Sequence, residues 1–535
     1  MSKLTLLGDE AVGLGAVHAG ISAAYGYPGT PSTEIIEYIQ ALNQDRPLAV
    51  WCTNEKTAYE EALGVSYAGR RALVTMKHVG LNVAADPFVN SALLNIRGGL
   101  VLLAADDPGM HSSQNEQDSR FYADFAKVLC LEPCNQQEAY EMTREAFDLS
   151  ERFGIPVMVR ITTRLAHSRA GVEADLPRQE NPLVQQIDST GWGLLPAFAR
   201  KQYTALLEKQ KDIQAYTNTC PHNKLRSTED SSPFGVITAG LGRNYFLENI
   251  EDLGWNPPHL HIGAYPLPVE KIRSLASTVS RILVIEEGMP FIEDALLGVL
   301  PTGIRISGKL DGSLPSAGEL NPDLVRKALG LSPRPGVNGE RSISLPPRPP
   351  QLCAGCPHGD TYTALKKILA YFPDSVITSD IGCYALGALP PYAIPETIVC
   401  MGASIGMAIG AAEAGKRPAV AVIGDSTFLH SGITPLIDAV ARKVPITVVI
   451  LDNSTVAMTG GQDTILPSSH LPSLIRGLGV EPEHVVSIEA HRKYETENVE
   501  TLRREIEYPG VSVVIAVREC LEYVRSRKSQ KGAEA

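Results

Sequence analysis

Short runs of Val, Ile and Leu alternate along this chain with longer Ala- and Leu-rich stretches, a pattern that predicts parallel sheets with helices on both faces. The predicted strands are ALVTM (72–76), GLVLLAA (99–105), IPVMVRIT (155–162), FGVITAG (234–240) and RILVIEE (281–287). Later come SVITSD (375–380), TIVCMG (397–402), AVAVIGD (419–425), ITVVILD (446–452) and VSVVIAV (511–517). They fall into three groups. Residues 171–232 are polar and read as a connector with a little helix, and residues 331–351 hold six prolines and read as a linker. The expected organisation is an α/β domain over 1–170, a smaller α/β domain over 233–330 and a third over 352–535, each an open parallel sheet. In such sheets ligands bind beyond the carboxyl ends of the strands. Asp106, Asp107, Asp380, Asp425, Asp452 and Asn453 all follow predicted strands.

Composition narrows this picture mainly by exclusion. Net charge is −12, from 48 basic and 60 acidic residues, with no long basic block, so nucleic acid is not the expected partner. The opening MSKLTLLGDEAVGLG carries Asp9 and Glu10 where a signal peptide would be apolar, and no apolar run is long enough to span a bilayer. The expected location is cytoplasmic, away from membranes. Nine cysteines in a long chain of this kind suggest metal binding or buried thiols rather than a disulfide framework.

Two stretches carry the first chemistry. Asp425 ends one predicted strand and Asn453 follows the next, with 26 residues between Ser426 and Asn453, room for one helical crossover. A carboxylate, an amide oxygen and the backbone carbonyl of Thr455 form an all-oxygen set suited to Mg²⁺, which completes its shell with phosphate and water. Gly424, Gly460 and Gly461 permit close approach of phosphate to backbone. The plainer alternative is two strand–helix turns capped by Asp and Asn. The pair GDS…N with TGGQ is similar to the thiamine-diphosphate motif. That resemblance assigns Asp425, Asn453 and the Thr455 carbonyl to the metal, and adds Gly424, Ser426 and Thr459 to the cofactor contacts. Thiamine enzymes also need a carboxylate against the aminopyrimidine ring; Glu55, opening NEKTAYEEALGVSYAG, matches it.

The second chemistry is in thiols. LCAGCPHGD places Cys353 and Cys356 in CxxC spacing, SDIGCYALG adds Cys383, and Cys520 follows the last strand. Four thiolates suit zinc or a [4Fe–4S] cluster, with Cys400 an alternative fourth ligand. His78 and His111 follow predicted strands and are candidates for proton transfer. Arg120 is the candidate counter-charge for a substrate carboxylate.

The strings YPGTPSTEI (27–35), NEKTAYE (54–60), MKHVGLN (76–82), CAGCPH (353–358), SDIGCY (379–384), GDSTFLHSG (424–432) and DNSTVAMTGGQ (452–462) together resemble the large subunit of the indolepyruvate branch of the 2-oxoacid:ferredoxin oxidoreductases. The resemblance implies thiamine-dependent oxidative decarboxylation of an aryl 2-oxo acid, with coenzyme A collecting the acyl group and electrons leaving through a [4Fe–4S] cluster to ferredoxin or another acceptor. It assigns Cys353, Cys356, Cys383 and Cys520 to the cluster, and Thr30 to the substrate carboxylate. It further implies two thiamine-binding domains flanking the smaller one, a smaller β subunit, and a hetero-oligomer such as α2β2. One departure stands out. The family's large subunit ends in a ferredoxin-like segment with two compact cysteine runs, whereas LEYVRSRKSQKGAEA follows Cys520 here. The competing readings are a non-oxidative thiamine-dependent decarboxylase, which needs no converging cysteines, and a non-catalytic, zinc-stabilised thiamine-binding subunit.

Overall fold

The β-branched runs form strands whose successive side chains enter different cores. In the C-terminal sheet Ala421, Ile423, Val448, Ile450, Val513 and Ile515 pack into one cluster, while Val420, Val422, Val449, Leu451, Val514 and Ala516 pack into another. This alternation is the two-residue period of a sheet covered on both faces. The computed structural model describes residues 2–42, 47–184, 189–227, 232–297, 300, 303–334, 350–525 and 527. The chain divides into two units, Met1–Glu340 and Arg341–Ala535. The expected proline-rich linker falls almost wholly outside the described residues.

The second unit holds six parallel strands in the order Thr397–Ile398, Val376–Ser379, Ala419–Gly424, Thr447–Asp452, Ser512–Val517, Val485–Glu489. From Val376–Ser379 the chain steps outward to Thr397–Ile398, then returns past its start to Ala419–Gly424. The order therefore reverses between Val376–Ser379 and Ala419–Gly424, and a crevice opens at their carboxyl ends. The helix Ile433–Arg442 covers one face through Leu436 and Ala439. The helices Pro357–Leu369 and Glu495–Glu507 cover the other.

Among the described residues the first unit contains two large sheets and one two-stranded antiparallel pair. The larger has the order Ala264–Tyr265, Leu129–Leu131, Val157–Thr162, Leu100–Asp106, Ala72–Lys77, Ala23–Gly26, Leu48–Trp51, parallel except at its first pair. Its order reverses between Ala23–Gly26 and Ala72–Lys77. The smaller runs Arg305–Ser307, Arg281–Ile285, Gly235–Ala239, His259–Ile262, Lys224–Arg226, with the last strand antiparallel. The fold is thus α/β with three open sheets, as expected.

Residues 171–232 are more ordered than a connector. They hold the 24-residue helix Pro196–Thr219, and the strand Lys224–Arg226 forms an edge of the smaller sheet. Arg169–Ala174 pairs antiparallel with Ser2–Leu7. The smaller sheet's segment also lends Ala264–Tyr265 to the edge of the larger sheet.

Candidate functional site

In the second unit three neighbouring strand ends carry the chemistry: Asp380 after Val376–Ser379, Asp425 after Ala419–Gly424, and Asp452 and Asn453 at the end of Thr447–Asp452. Asp425 is buried; its Oδ1 accepts from Ser426 N at 2.8 Å and its Oδ2 from Ser454 N at 3.0 Å. Burial, and then the neighbouring Asp452 carboxylate, hold its carboxyl well above the usual range. Asp452 is also buried, and its Oδ2 has no hydrogen-bond partner among the described residues. Two adjacent buried carboxylates with an unsatisfied oxygen call for a cation, and a divalent ion fits that need. Asn453 stands beside them, buried, with Oδ1 accepting from Thr455 N at 3.3 Å. Beyond it, Thr455–Val456 pairs with Gln462–Asp463, and the turn is held by Thr459 Oγ1 donating to Gln462 Oε1 at 2.6 Å. Gly424 lies so close to Tyr384 that a Cβ there would stand 2.7 Å from the ring. That tyrosine's hydroxyl donates to Asp380, whose pKa burial raises to about 6.

The same segment touches the cysteine group. Asn453 O accepts from Cys520 N at 3.1 Å, and Asn453 Nδ2 lies 3.3 Å from His358 Nε2, two residues after Cys356. All nine cysteines are free thiols. Burial and then the nearby Cys356, Cys520 and Cys353 push the Cys383 thiol up to about 12; Cys356 is raised by burial and by Cys353 and Cys520. Cys353, Cys356, Cys383 and Cys520 are thus electrostatic neighbours, while Cys400 is exposed and has Asp380 as its charged neighbour. Thiols that raise each other's pKa become thiolates only against a cation, which fits a metal centre. Zinc would hold its sulfurs about 3.8 Å apart, from Zn–S bonds of about 2.3 Å. Among the described residues, the groups with donor atoms within 4.8 Å of one another include no three of these cysteines. No three of these thiols are therefore preset at zinc spacing.

In the first unit the reversal point carries Thr30, Lys77 and His78. Glu55 opens the helix Glu55–Tyr67, whose cap is Asn54 Oδ1 accepting from Thr57 N at 2.8 Å. Glu55 is buried against Gly80, in the first turn of the helix His78–Ser91: a Cβ on Gly80 would stand 2.5 Å from Glu55 Oε1. Only glycine admits the carboxylate there. His78 is fully buried, with Nε2 3.3 Å from Asn115 O and Nδ1 unpartnered among the described residues. His111 lies on an exposed loop, 3.6 Å from Glu319.

Two known sequence families match the segments that carry these strand ends. The family described as thiamine pyrophosphate enzyme, C-terminal TPP binding domain, matches residues 380–515. The family described as pyruvate flavodoxin/ferredoxin oxidoreductase, thiamine diphosphate-binding, matches residues 14–230. Indolepyruvate oxidoreductase subunit IorA of Archaeoglobus fulgidus is 40% identical over 99% of this chain and 88% of its own length. The chain belongs to the IorA family. The IorA of Methanothermobacter thermautotrophicus is 39% identical over 97% of this chain and 87% of its own. A 2-oxoglutarate:ferredoxin oxidoreductase from Magnetococcus marinus, solved with 2-oxoglutarate, coenzyme A and succinyl-CoA, shares the fold. Its TM-score is 0.52 at 16% identity, over 61% of this chain and 65% of that one.

As an IorA-family chain this is an oxidoreductase subunit of the thiamine-diphosphate-dependent 2-oxoacid class. The 380–515 segment contains Asp380, Asp425, Asp452 and Asn453, and the 14–230 segment contains Thr30, Glu55, Lys77 and His78. Among the described residues no helix is long and apolar enough to cross a membrane.

One expected site residue is corrected. Arg120 is 1% exposed, and its guanidinium is consumed within the chain. Nε donates to Asp118 Oδ1 at 2.9 Å, Nη1 to Tyr265 at 3.2 Å and Nη2 to the Glu287 carbonyl at 3.0 Å, while Glu286 pairs with Nη1 at 2.8 Å. Arg120 ties the larger sheet to the loop after Arg281–Ile285 and has no face left for a substrate. Asp452 was marked in sequence only as a strand-end residue, since its place against Asp425 depends on how adjacent strands align. Lys77 reads as one charge after ALVTM; only burial sets it apart.

Proposed function

We propose that this subunit catalyses the oxidative decarboxylation of an aryl 2-oxo acid, of the indolepyruvate or phenylpyruvate type, to the aryl-acetyl-CoA and CO₂. The 2-oxo acid and coenzyme A give the thioester, CO₂ and a proton, and two electrons pass one at a time through a [4Fe–4S] cluster to ferredoxin or another one-electron carrier. The observation that carries the reading is the Asn453 segment. Asn453 directly follows Asp452, whose Oδ2 has no hydrogen-bond partner among the described residues, and its carbonyl accepts from Cys520 N. A cation–diphosphate site and a thiol group on one short stretch is what single-electron withdrawal from a bound cofactor needs.

Thiamine diphosphate supplies a carbon nucleophile for the keto carbon. The chain's own residues do the rest. Asp425, Asn453 and the Thr455 carbonyl hold Mg²⁺ against the diphosphate, with Gly424, Ser426 and Thr459 lining its approach. Glu55, pinned against Gly80, holds a proton at the aminopyrimidine ring. Buried His78, with Nδ1 available, is placed to move a proton during turnover. Cys353, Cys356, Cys383 and Cys520 ligate the cluster. A smaller β subunit completes the enzyme in a hetero-oligomer such as α2β2, in the cytoplasm.

The test is product analysis of the cofactor-loaded protein, copurified with its partner subunit. With arylpyruvate, coenzyme A and a one-electron acceptor, the expected product is the aryl-acetyl-CoA, with two acceptors reduced per CO₂. Release of arylacetaldehyde with no acceptor reduction would overturn the proposal in favour of a non-oxidative decarboxylase.

A further inference from the structure

A buried ammonium without an adjacent counter-ion sits at the topological reversal of the first unit's larger sheet. Lys77 is the last residue of the strand Ala72–Lys77 and directly precedes the helix His78–Ser91. It is 8% exposed. A lysine in that position ordinarily either reaches solvent along its flexible stem or pairs with a carboxylate. Lys77 does neither. Nζ donates to the Ser112 carbonyl at 2.7 Å and to Ser112 Oγ at 3.2 Å. Among the described residues no carboxylate lies within ion-pairing distance. The charged neighbour is Asp107, and its oxygens are already taken by Ser112 N at 2.8 Å, Ser113 Oγ at 2.5 Å and Thr163 Oγ1 at 2.7 Å. Burial pulls the Lys77 pKa down to about 8 against the opposing pull of Asp107. An ammonium has three N–H donors, so at least one is unassigned.

The residues that adjoin Lys77 and its partner Ser112 belong to the candidate site. A Cβ on Gly29 would stand 3.3 Å from Lys77 Cβ, so the loop carrying Thr30 lies along the lysine stem. The Thr30 carbonyl accepts from Ser112 Oγ at 3.3 Å, the same hydroxyl that Lys77 uses. One residue on is His78 with its unpartnered, fully buried Nδ1, and three residues on is Gly80, the cradle of Glu55. The start of a 14-residue helix adds partial positive charge at the same point. In an open sheet this crevice is where a ligand sits.

We infer that Lys77 is the counter-charge for the substrate: its ammonium binds the carboxylate of the 2-oxo acid, beside Thr30, in the role that the buried guanidinium of Arg120 is unable to fill. The inference rests on the proposed 2-oxo acid chemistry and deepens it. Ser112 aims the ammonium, and Asp107 fixes the loop that carries Ser112. Lys77 takes no part in bond making; it orients the carboxylate that leaves as CO₂.

The test compares equilibrium binding of two unreactive ligands to the cofactor-loaded holoenzyme, measured by calorimetry. One is an arylpropionate, which keeps the side chain and the carboxylate; the other is its uncharged amide. Lys77→Met is expected to weaken the arylpropionate about 10- to 100-fold, the range for losing a hydrogen bond to a charged group, and to leave the amide unchanged. Lys77→Arg is expected to restore most of the arylpropionate affinity. Equal weakening of both ligands, or none, overturns the role of Lys77 and makes it a support for the Ser112 loop. A wild-type protein that binds neither ligand and does not turn over arylpyruvate overturns the proposed function, and this inference with it. Binding with no Lys77 effect sinks the inference alone.

Discussion

Gly80 and Arg120 show how differently single residues serve this chain. A methyl group on Gly80 would collide with Glu55 Oε1, so Gly80→Ala is expected to displace the carboxylate without exposing any core. The expected outcome is a loss of turnover of about 10²-fold, the usual cost of a misplacement near 1 Å, with the unfolding midpoint little changed. An unaltered rate would show that Glu55 has another resting place. Arg120→Ala acts in the opposite way. It strands Asp118 and Glu286 in the interior, and breaking such a buried network costs about 3–5 kcal/mol. Urea denaturation is expected to show that loss; a raised KM at unchanged stability would return Arg120 to the substrate. The sequence motifs single out Asp425, Asn453 and the four cysteines, because residue type and order along the chain carry the family resemblance. They could not single out Lys77, because a lone charge after an apolar run looks the same whether it is solvated or buried.

At the scale of elements, caps and short strands govern both legibility and stability. Asn54 caps the helix that begins with Glu55, so Asn54→Ala is expected to cost about 1 kcal/mol and to loosen Glu55 as well. Thermal denaturation and turnover measured on the same variant check both halves. The strand His259–Ile262 brings two buried histidines together, with Thr238 Oγ1 lying 2.8 Å from His259 Nε2 and 3.1 Å from His261 Nδ1. Burial lowers His259 to about 3 and His261 to about 4. Their folded pKa values lie below the unfolded value near 6.5, so below that pH the unfolded chain binds more protons and stability falls. Between pH 6.5 and 5 each contributes a loss approaching about 1.4 kcal/mol per pH unit. Buried Glu286 and Glu287, raised to about 7, act in the opposite sense over the same window, so the histidine contribution is read as a difference: the melting temperature of the wild type is expected to drop relative to that of His259→Gln as pH falls from 6.5 to 5. A difference that stays constant across the window would contradict the burial argument. This strand, like Ala23–Gly26, Leu48–Trp51 and Lys224–Arg226, was not legible in the sequence. Strands of three or four residues show too few alternations for a period to emerge, and they are held by neighbours rather than by propensity. The helix Pro196–Thr219 was missed because its polar composition resembles a connector.

For the molecule as a whole, the three sheets and their order of appearance were legible, because long apolar runs separated by helical stretches leave little freedom of topology. How the first two groups share one unit was not: Ala264–Tyr265 crosses from one group to the other's sheet edge, and tertiary pairing alone decides that. In the proposed reaction electrons leave through a cluster held by Cys353, Cys356, Cys383 and Cys520. The most direct measurement is iron and sulfide content with the absorption spectrum of protein purified without oxygen, before and after adding arylpyruvate and coenzyme A. About four irons per chain and a broad band near ~400 nm that substrate bleaches are expected, with the band lost in Cys383→Ala. A colourless protein that takes up no iron on anaerobic reconstitution, or a band that substrate leaves unchanged, would contradict that proposal.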